Sequence, residues 1–242
     1  MNIIKLKKIF LLILFVFLIP SSAMAGDLLL KSFGHSSFLI KGRGKSVLLN
    51  PFKAVGCASG LDEPKGKNAD FILASSRLAD EGYNPNNELM FVKPGIYQHK
   101  NTLLNGVEIP HDRLGGRRFG MATVWSWEQN NFKIVHMGGA AGEIDMNSQI
   151  ILSRPDILFI SIGGGFKSYD GIEASDIVKI LKPAIVIPVH FDRGKNISDD
   201  CDFSNEDLFL ENMQDFKVEY PNKNLEINSK RIDKNTIYIF TD

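Results

Sequence analysis

Short apolar runs, separated by turns rich in glycine and polar residues, recur along most of the chain and predict a β-rich fold. Residues 38–40 and 46–49 flank a loop that carries two glycines, which predicts a β-hairpin. The other apolar runs predict strands at residues 28–33, 71–74, 89–92, 103–109, 119–127, 132–136, 157–162, 184–189 and 236–240.

Helical periodicity is confined to the second half of the chain. Apolar positions at residues 172–181 recur at helical spacing, Asp170 is a suitable N-cap, and Pro183 ends the pattern. Ser204 together with Asp207 predicts a second capped helix. Many strands with few helices indicate two sheets with helices outside them, in one α/β or α+β domain covering residues 26–242.

Residues 1–25 have the features of a secretory signal peptide. Lys5, Lys7 and Lys8 precede an apolar run at residues 9–19, and Ala23 to Ala25 form a small-residue cleavage site. The alternative, an uncleaved membrane anchor, is disfavoured because the apolar run is too short to span a bilayer. The sequence therefore predicts a periplasmic or secreted protein with no stable membrane span after cleavage.

The charge balance argues against nucleic acid as a partner, and the cysteine content is compatible with one disulfide. Removing the three signal-peptide lysines leaves 25 basic residues against 28 acidic residues, and no basic stripe is visible, so nucleic acid is not an expected partner. The chain has two cysteines, Cys57 and Cys201, and export would place them in a compartment where bridging is favoured.

Candidate functional groups follow the predicted strands. His111, His136 and His190 each come directly after an apolar run, and Asp80 lies just beyond the run at residues 71–74. Strand ends are where layered folds gather functional groups, and imidazole and carboxylate are the usual zinc ligands. A structural, hydrogen-bonded histidine is the alternative at each position. His99 lies in a polar stretch and is interpreted as a solvated loop residue.

Several segments taken together resemble the metallo-β-lactamase superfamily, in its lactonase-like, metal-dependent hydrolase branch. They are the Gly-His-Ser-Ser-Phe opening at residues 34–38, the strand end at 48–52, the metal loop at 69–84, the His-Asp loop at 110–120, the His-x-Gly segment at 134–139, and the run from 156 to 190. The resemblance implies a four-layer αββα sandwich.

The family binds two metals, and the resemblance maps their ligands onto this sequence. The first set falls on Ser76, Leu78 and His136, and the second on Asp80, Glu81 and His190. The Asp that bridges both metals in the family corresponds to Gly139, with Glu143 and Asp145 as possible substitutes, and Asn50 replaces a supporting Asp. The resemblance thus implies a hydrolase-like protein that has lost its two-metal site.

Three functional interpretations remain open from the sequence. The first is a non-catalytic pocket for a small-molecule or cell-envelope ligand, lined by His35, Asn50, Ser76 and Gly139 beside His111, His136 and His190. The second is a lactone or ester hydrolase with one divalent metal (zinc, manganese or iron) at Asp80, Glu81 and His190, and with Asp80 and His111 as catalytic groups. The third is metal-free acid–base chemistry by Ser76 or His111. A Cys57–Cys201 disulfide is expected to join the loops that follow Asn50 and His190; the less favoured alternative is a thiolate that acts as a substitute ligand.

Overall fold

The computed structural model describes residues 27–64, 69–194, 201–228 and 232–241. Its strands are β1 (Leu28–Gly34), β2 (Ser37–Gly42), β3 (Lys45–Leu49), β4 (Phe71–Leu73), β5 (Met90–Phe91), β6 (Gly95–His99), β7 (Thr102–Pro110), β8 (Met121–Gln129), β9 (Phe132–His136), β10 (Ile157–Ser161), β11 (Ile185–Val189), β12 (Lys217–Glu219), β13 (Asn224–Ile227) and β14 (Thr236–Tyr238). Its helices are α1 (Met146–Leu152), α2 (Gly171–Leu181) and α3 (Asp207–Glu211).

Two sheets make up the framework. The six-stranded sheet has the order β13-β1-β2-β3-β4-β5, and the eight-stranded sheet has the order β12-β14-β11-β10-β9-β8-β7-β6. The predicted hairpin is the antiparallel β2–β3 pair. β3 and β4 are parallel, as are β9, β10 and β11, so the carboxyl ends of these strands meet at one edge of each sheet.

The main core lies between the sheets, where every second side chain of a strand points inward. Phe38, Leu49 and Phe71 from the six-stranded sheet pack with Trp125 and Phe159 from the eight-stranded sheet in one fully buried cluster. Strands of the eight-stranded sheet are buried on both faces, which explains why continuous apolar runs predicted them.

A second core holds the helices against the outer face of the eight-stranded sheet. Leu152, Val178 and Phe209, which belong to α1, α2 and α3, share a buried cluster with residues of β7 to β11. Asp170 caps α2 as predicted and forms a capping box with Glu173. This is the α/β sandwich expected from the sequence, although no α-helix within the described residues precedes Met146.

Some local predictions were wrong. β8 begins at Met121 rather than 119, because the backbone N–H groups of Arg118 and Phe119 donate to the Asp112 carboxylate instead of entering the sheet. α3 is capped by Glu206 without a side-chain bond, and the backbone of Ser204 pairs with Gly163. The periodicity missed β6, α1, β12 and β13.

His99 is not a solvated loop residue. It ends β6, and its ring packs edge-on against Phe71 with ring centroids 5.1 Å apart. The predicted signal peptide lies outside the described residues. Among the residues that are described, no helix is long and apolar enough to cross a membrane.

Candidate metal centre

The candidate site forms where strands of both sheets end. His35 follows β1, Asn50 follows β3, Asp80 lies in the loop after β4, and His190 follows β11, while His136 is the last residue of β9. These positions are far apart in sequence. Parallel pairing of β3 with β4, and of β9, β10 and β11, brings four of them to one edge of the sandwich, and His35 reaches that edge in the turn between the antiparallel strands β1 and β2.

Three of these side chains form a compact donor cluster, which we call the His–Asp–His cluster: His35, Asp80 and His190. One ligand atom from each lies within 4.8 Å of the other two. The Nε2 atom of His35 is 3.9 Å from Oδ2 of Asp80, and the rings of His35 and His190 are 4.2 Å apart between centroids. Two imidazoles and a carboxylate form an open donor set that suits zinc, manganese or iron.

The backbone at both histidines is unusual and fixes their position. His35 and His190 have φ angles of 54° and 56°, in the left-handed region that non-glycine residues rarely adopt. The N–H of His190 donates to the carbonyl of His35 at 2.9 Å, so the two sheets are linked directly at the site. Strained backbone held by the surrounding structure is often found at functional sites.

Both imidazoles are neutral and available as ligands. Burial lowers the pKa of His35 to about 4, and it also holds the pKa of His190 well below its usual value. Nε2 of His35 and both ring nitrogens of His190 are buried without a hydrogen-bond partner. Buried polar atoms are normally satisfied, and one metal ion would supply the missing partner for one nitrogen of each ring.

The disulfide holds the segment that lies over this cluster. Cys57 and Cys201 are bonded, with their Cα atoms 4.9 Å apart, as expected from the sequence. Two residues on, the ring of Phe203 lies 4.3 Å from that of His190 and 5.9 Å from that of His35, between centroids. The disulfide therefore anchors the segment that places an aromatic ring over both imidazoles.

Glu81 is turned away from the His–Asp–His cluster into a buried ion pair with His111. Oε1 of Glu81 lies 3.3 Å from Nε2 of His111, and both side chains are fully buried. Its other oxygen accepts hydrogen bonds from the hydroxyls of Ser75 and Ser76, at 2.8 and 3.0 Å. Both oxygens of this carboxylate thus have hydrogen-bond partners within the protein.

The pair determines the protonation of both partners. Burial alone would raise the pKa of Glu81, but the charge of His111 and its hydrogen bond outweigh it and hold that pKa well below the usual range. For His111, burial acts to lower the pKa, and the Glu81 charge outweighs it and raises the pKa. The result is a carboxylate–imidazolium pair in the protein interior.

Gly139 makes room for this pair. A Cβ atom at residue 139 would lie 2.0 Å from Nε2 of His111 and 2.2 Å from Oε1 of Glu81. The position that corresponds to the family's bridging Asp is therefore next to the Glu81–His111 pair, which fills the space that a side chain would need. Among the suggested substitutes, Asp145 caps α1 instead, and Glu143 is exposed.

His136 and Asn50 are held by contacts inside the protein. Nε2 of His136 donates to the carbonyl of Ser36 at 3.1 Å, and burial lowers the pKa of His136 to about 4. The Asn50 amide donates to Ser75 Oγ at 2.8 Å, and its oxygen accepts from the Ser75 N–H at 2.8 Å. Asn50 thus supports the Ser75 hydroxyl that binds Glu81.

Lys167 is a site residue that the sequence did not reveal. Its ammonium contacts Oδ2 of Asp80, and the Lys167 and Asp80 side chains are 21% and 15% exposed. Lys167 lies in the loop after β10, two residues beyond Gly165, so its position after a strand end was the only available signal. The Asp112 carboxylate accepts hydrogen bonds from four backbone N–H groups and so fixes the facing loop. These bonds outweigh the desolvation of Asp112 and lower its pKa to about 2.

The structure therefore sorts the predicted ligands into two groups. Asp80 and His190 lie together as expected, but His35, expected only in the pocket lining, is their third partner. Glu81 belongs with His111 and Ser76, and His136 with Ser36.

A cavity of about 600 Å³ near Trp127 and Lys133 is lined by none of these residues.

Comparison with known proteins identifies the family. Residues 29–190 match the family described as the Beta-lactamase superfamily domain. The chain belongs to the metallo-β-lactamase superfamily. Two relatives described as UPF0173 metal-dependent hydrolases support this: one from Thermococcus onnurineus is 28% identical over 69% of this chain and 86% of its own length. The other, from Thermoplasma acidophilum, is 40% identical over 65% of this chain and 80% of its own length.

Comparison with solved structures agrees with the fold. A Thermotoga maritima protein assigned to its Zn-dependent hydrolases superposes with a TM-score of 0.69 at 21% identity, covering 89% of this chain and all of that chain. An isothiocyanate hydrolase from Delia radicum gut bacteria superposes with a TM-score of 0.59 at 12% identity, covering 87% and 95%. At these identities the likeness concerns the fold alone.

Proposed function

We propose that this protein is a hydrolase that uses one divalent metal held by His35, Asp80 and His190, in place of the two-metal centre of its superfamily. The observation that carries the proposal is the convergence of three donors within 4.8 Å, two of them buried imidazoles with unpartnered nitrogens. Related chains described as metal-dependent hydrolases support the same chemistry.

The protein groups have distinct tasks in this proposal. His35 and His190 present lone pairs because burial keeps both rings neutral. Asp80 supplies the negative charge, and Phe203 shields the two rings from water. A metal bound there would lower the pKa of a coordinated water and so supply a nucleophile at neutral pH. Lactones and esters are the substrate class that the sequence resemblance suggests.

The second metal position is unsuited to a metal in this proposal. Leu78 has no donor atom, Gly139 has no side chain, and Glu81 is engaged by His111 and two hydroxyls. His136 donates its Nε2 proton to a carbonyl. We therefore assign the Glu81–His111 pair a structural role rather than a part in catalysis.

A metal-free binding protein is the competing candidate, and one contact favours it. The Lys167 ammonium already neutralises Asp80, so the carboxylate has a cation partner without a metal. In that case the pocket beside His35 and His190 would hold a small-molecule or cell-envelope ligand, with no reaction.

Metal content distinguishes the two candidates. The mature protein, stripped with chelator and reconstituted with Zn²⁺, Mn²⁺ or Fe²⁺, is analysed by elemental mass spectrometry. About one equivalent is expected, lost in His35→Ala and His190→Ala, and retained in Glu81→Gln and in His99→Ala, a histidine on β6 outside the cluster. Ester and lactone hydrolysis should follow metal content. Absence of metal after reconstitution would overturn the metal proposal and favour the binding protein.

The same variants test the ligand set expected from the sequence. If Glu81→Gln abolishes metal binding while His35→Ala retains it, the ligands are Asp80, Glu81 and His190, and our assignment of His35 is wrong.

We also propose export to the periplasm or the medium, after cleavage of the signal peptide before Gly26. The Cys57–Cys201 disulfide supports this, because stable disulfides are characteristic of oxidising compartments. N-terminal sequencing of the protein from its native host should begin at Gly26. A chain recovered from the cytoplasm with its lysine-rich N-terminus intact would contradict export.

A further inference from the structure

Asp80 faces both Lys167 and the donor atoms of the His–Asp–His cluster. Its Oδ2 atom contacts the Lys167 ammonium, and the same atom lies 3.9 Å from Nε2 of His35. A lysine and a metal bound by the His–Asp–His cluster would therefore compete for one carboxylate.

Lys167 is held in place by the loop that carries it. The N–H of Gly164 donates to the Tyr169 carbonyl at 2.9 Å, which closes the loop around Lys167. Arg113 donates to the carbonyl of Gly165 and forms an ion pair with Glu173. The N–H of Phe166 donates to the carboxylate of Asp202 at 3.1 Å. The Lys167 ammonium also lies 6.0 Å from the centre of the Phe119 ring. These contacts direct the side chain to Asp80 and make Lys167 different from an unconstrained surface lysine.

We propose that Lys167 is a tethered cation that competes with the metal for Asp80 and so sets the metal affinity of the site. The inference rests on the proposed function. Metal binding requires either that the ammonium leave Asp80 or that two like charges share one carboxylate, and both weaken the affinity. When the metal is absent, Lys167 neutralises the mostly buried carboxylate of Asp80 and so stabilises the metal-free protein.

The inference predicts opposite effects on metal affinity and on metal-free stability. Replacing Lys167 by Met removes the competing charge and should tighten Zn²⁺ binding by about tenfold or more, a common size for coupling between two binding events. The same change should lower the melting temperature of the metal-free protein, because Asp80 then has no neutralising lysine. Added Zn²⁺ should restore the melting temperature. A residue with a merely structural role would lower both quantities.

The test is titration calorimetry of chelator-treated, full-length mature protein with Zn²⁺. Lys167→Met is compared with the wild type, with Lys167→Arg, which keeps the charge, and with Lys179→Met, an exposed lysine paired with Asp176 on α2. Lys167→Gln is a second neutral variant in case Lys167→Met does not fold. The binding heat must vanish when His190→Ala is added, which assigns it to the cluster. Lys167→Arg and Lys179→Met should behave as the wild type.

The outcomes separate this inference from the proposed function. One equivalent of Zn²⁺ bound equally well by the wild type and Lys167→Met overturns the competition but leaves the metal proposal intact. Binding by Lys167→Met and not by the wild type supports the competition and overturns the proposal of a resident metal. Weaker binding by Lys167→Met, or no binding by either protein, overturns the competition.

Discussion

The Glu81–His111 pair offers the most direct test of how the interior of this site is stabilised. Glu81→Gln keeps the size of the side chain and removes its charge. Both partners are fully buried, so solvent does not screen the interaction. The substitution also changes the acceptor for the Ser75 and Ser76 hydroxyls from a carboxylate to an amide.

The structure sets the expected magnitude. Breaking a buried ion pair by removing one charge typically costs about 3–5 kcal/mol, since the other charge is left uncompensated. His111 can escape part of this cost by losing its proton, so we expect about 3 kcal/mol for Glu81→Gln. For a chain of this size, each kcal/mol lowers the melting temperature by about 2–4 °C, which gives a fall of about 6–12 °C.

The cost should depend on pH in a defined window. The lowered pKa of Glu81 contributes stability above about pH 4.5 that is lost as the pH falls through the folded-state value. The raised pKa of His111 contributes stability below about pH 6.5 that is lost as the pH rises through the folded-state value. The difference between wild type and Glu81→Gln should therefore be largest between about pH 4.5 and 6.5, and smaller at pH 3 and pH 9.

Urea unfolding followed by circular dichroism measures the free energy at each pH. Asp176→Asn is the matched control, because it removes a carboxylate from an exposed pair with Lys179 and should cost less than about 0.5 kcal/mol. A double-mutant cycle with His111→Gln isolates the coupling between the two residues. A cost below about 1 kcal/mol for Glu81→Gln, or a coupling near zero, would refute this account of the buried pair.

Two further predictions concern the surroundings of the site. Gly139→Ala should destabilise the protein by about 3 kcal/mol or more in urea unfolding, because its Cβ would overlap His111 and Glu81. A loss below about 1 kcal/mol would contradict this. Removing the disulfide with Cys57→Ser and Cys201→Ser should lower the free energy of unfolding by about 2–5 kcal/mol and weaken metal binding, because Phe203 is then less firmly held. A reductant should lower the melting temperature of the wild type but not that of the double variant. A wild type whose melting temperature does not respond would contradict the prediction.

Much of the fold was predictable because strands that are buried in a sandwich consist of short apolar runs in the sequence. β9, β10 and β11 are almost continuous apolar runs, as expected of strands covered on both faces. The start of α2 was predictable because Asp170 acts through its own neighbours along the chain. β6, β12 and β13 were missed because edge strands are short and partly exposed, and β12 and β13 pair with strands that are not their neighbours in sequence.

The candidate site was predictable in its location but only partly in its composition. Asp80 and His190 were identified because both follow buried strands. The resemblance placed Glu81 with them, whereas its carboxylate binds His111, a contact between residues 30 positions apart. Lys167 was missed because nothing near it in sequence distinguishes it from a surface lysine.

The sequence by itself determined most of the strands, the hairpin, the α2 cap and the fact that histidines and acids follow strand ends, since backbone preference and burial act over a few residues. Only the tertiary structure decided which of those groups meet. His35 and His190 are adjacent because a backbone hydrogen bond joins the two sheets at that point. Glu81 and His111 fit together because Gly139 leaves them space. Such contacts depend on strand pairing and loop path across the whole molecule, and for that reason the set of side chains that meet at the candidate site is a property of the fold.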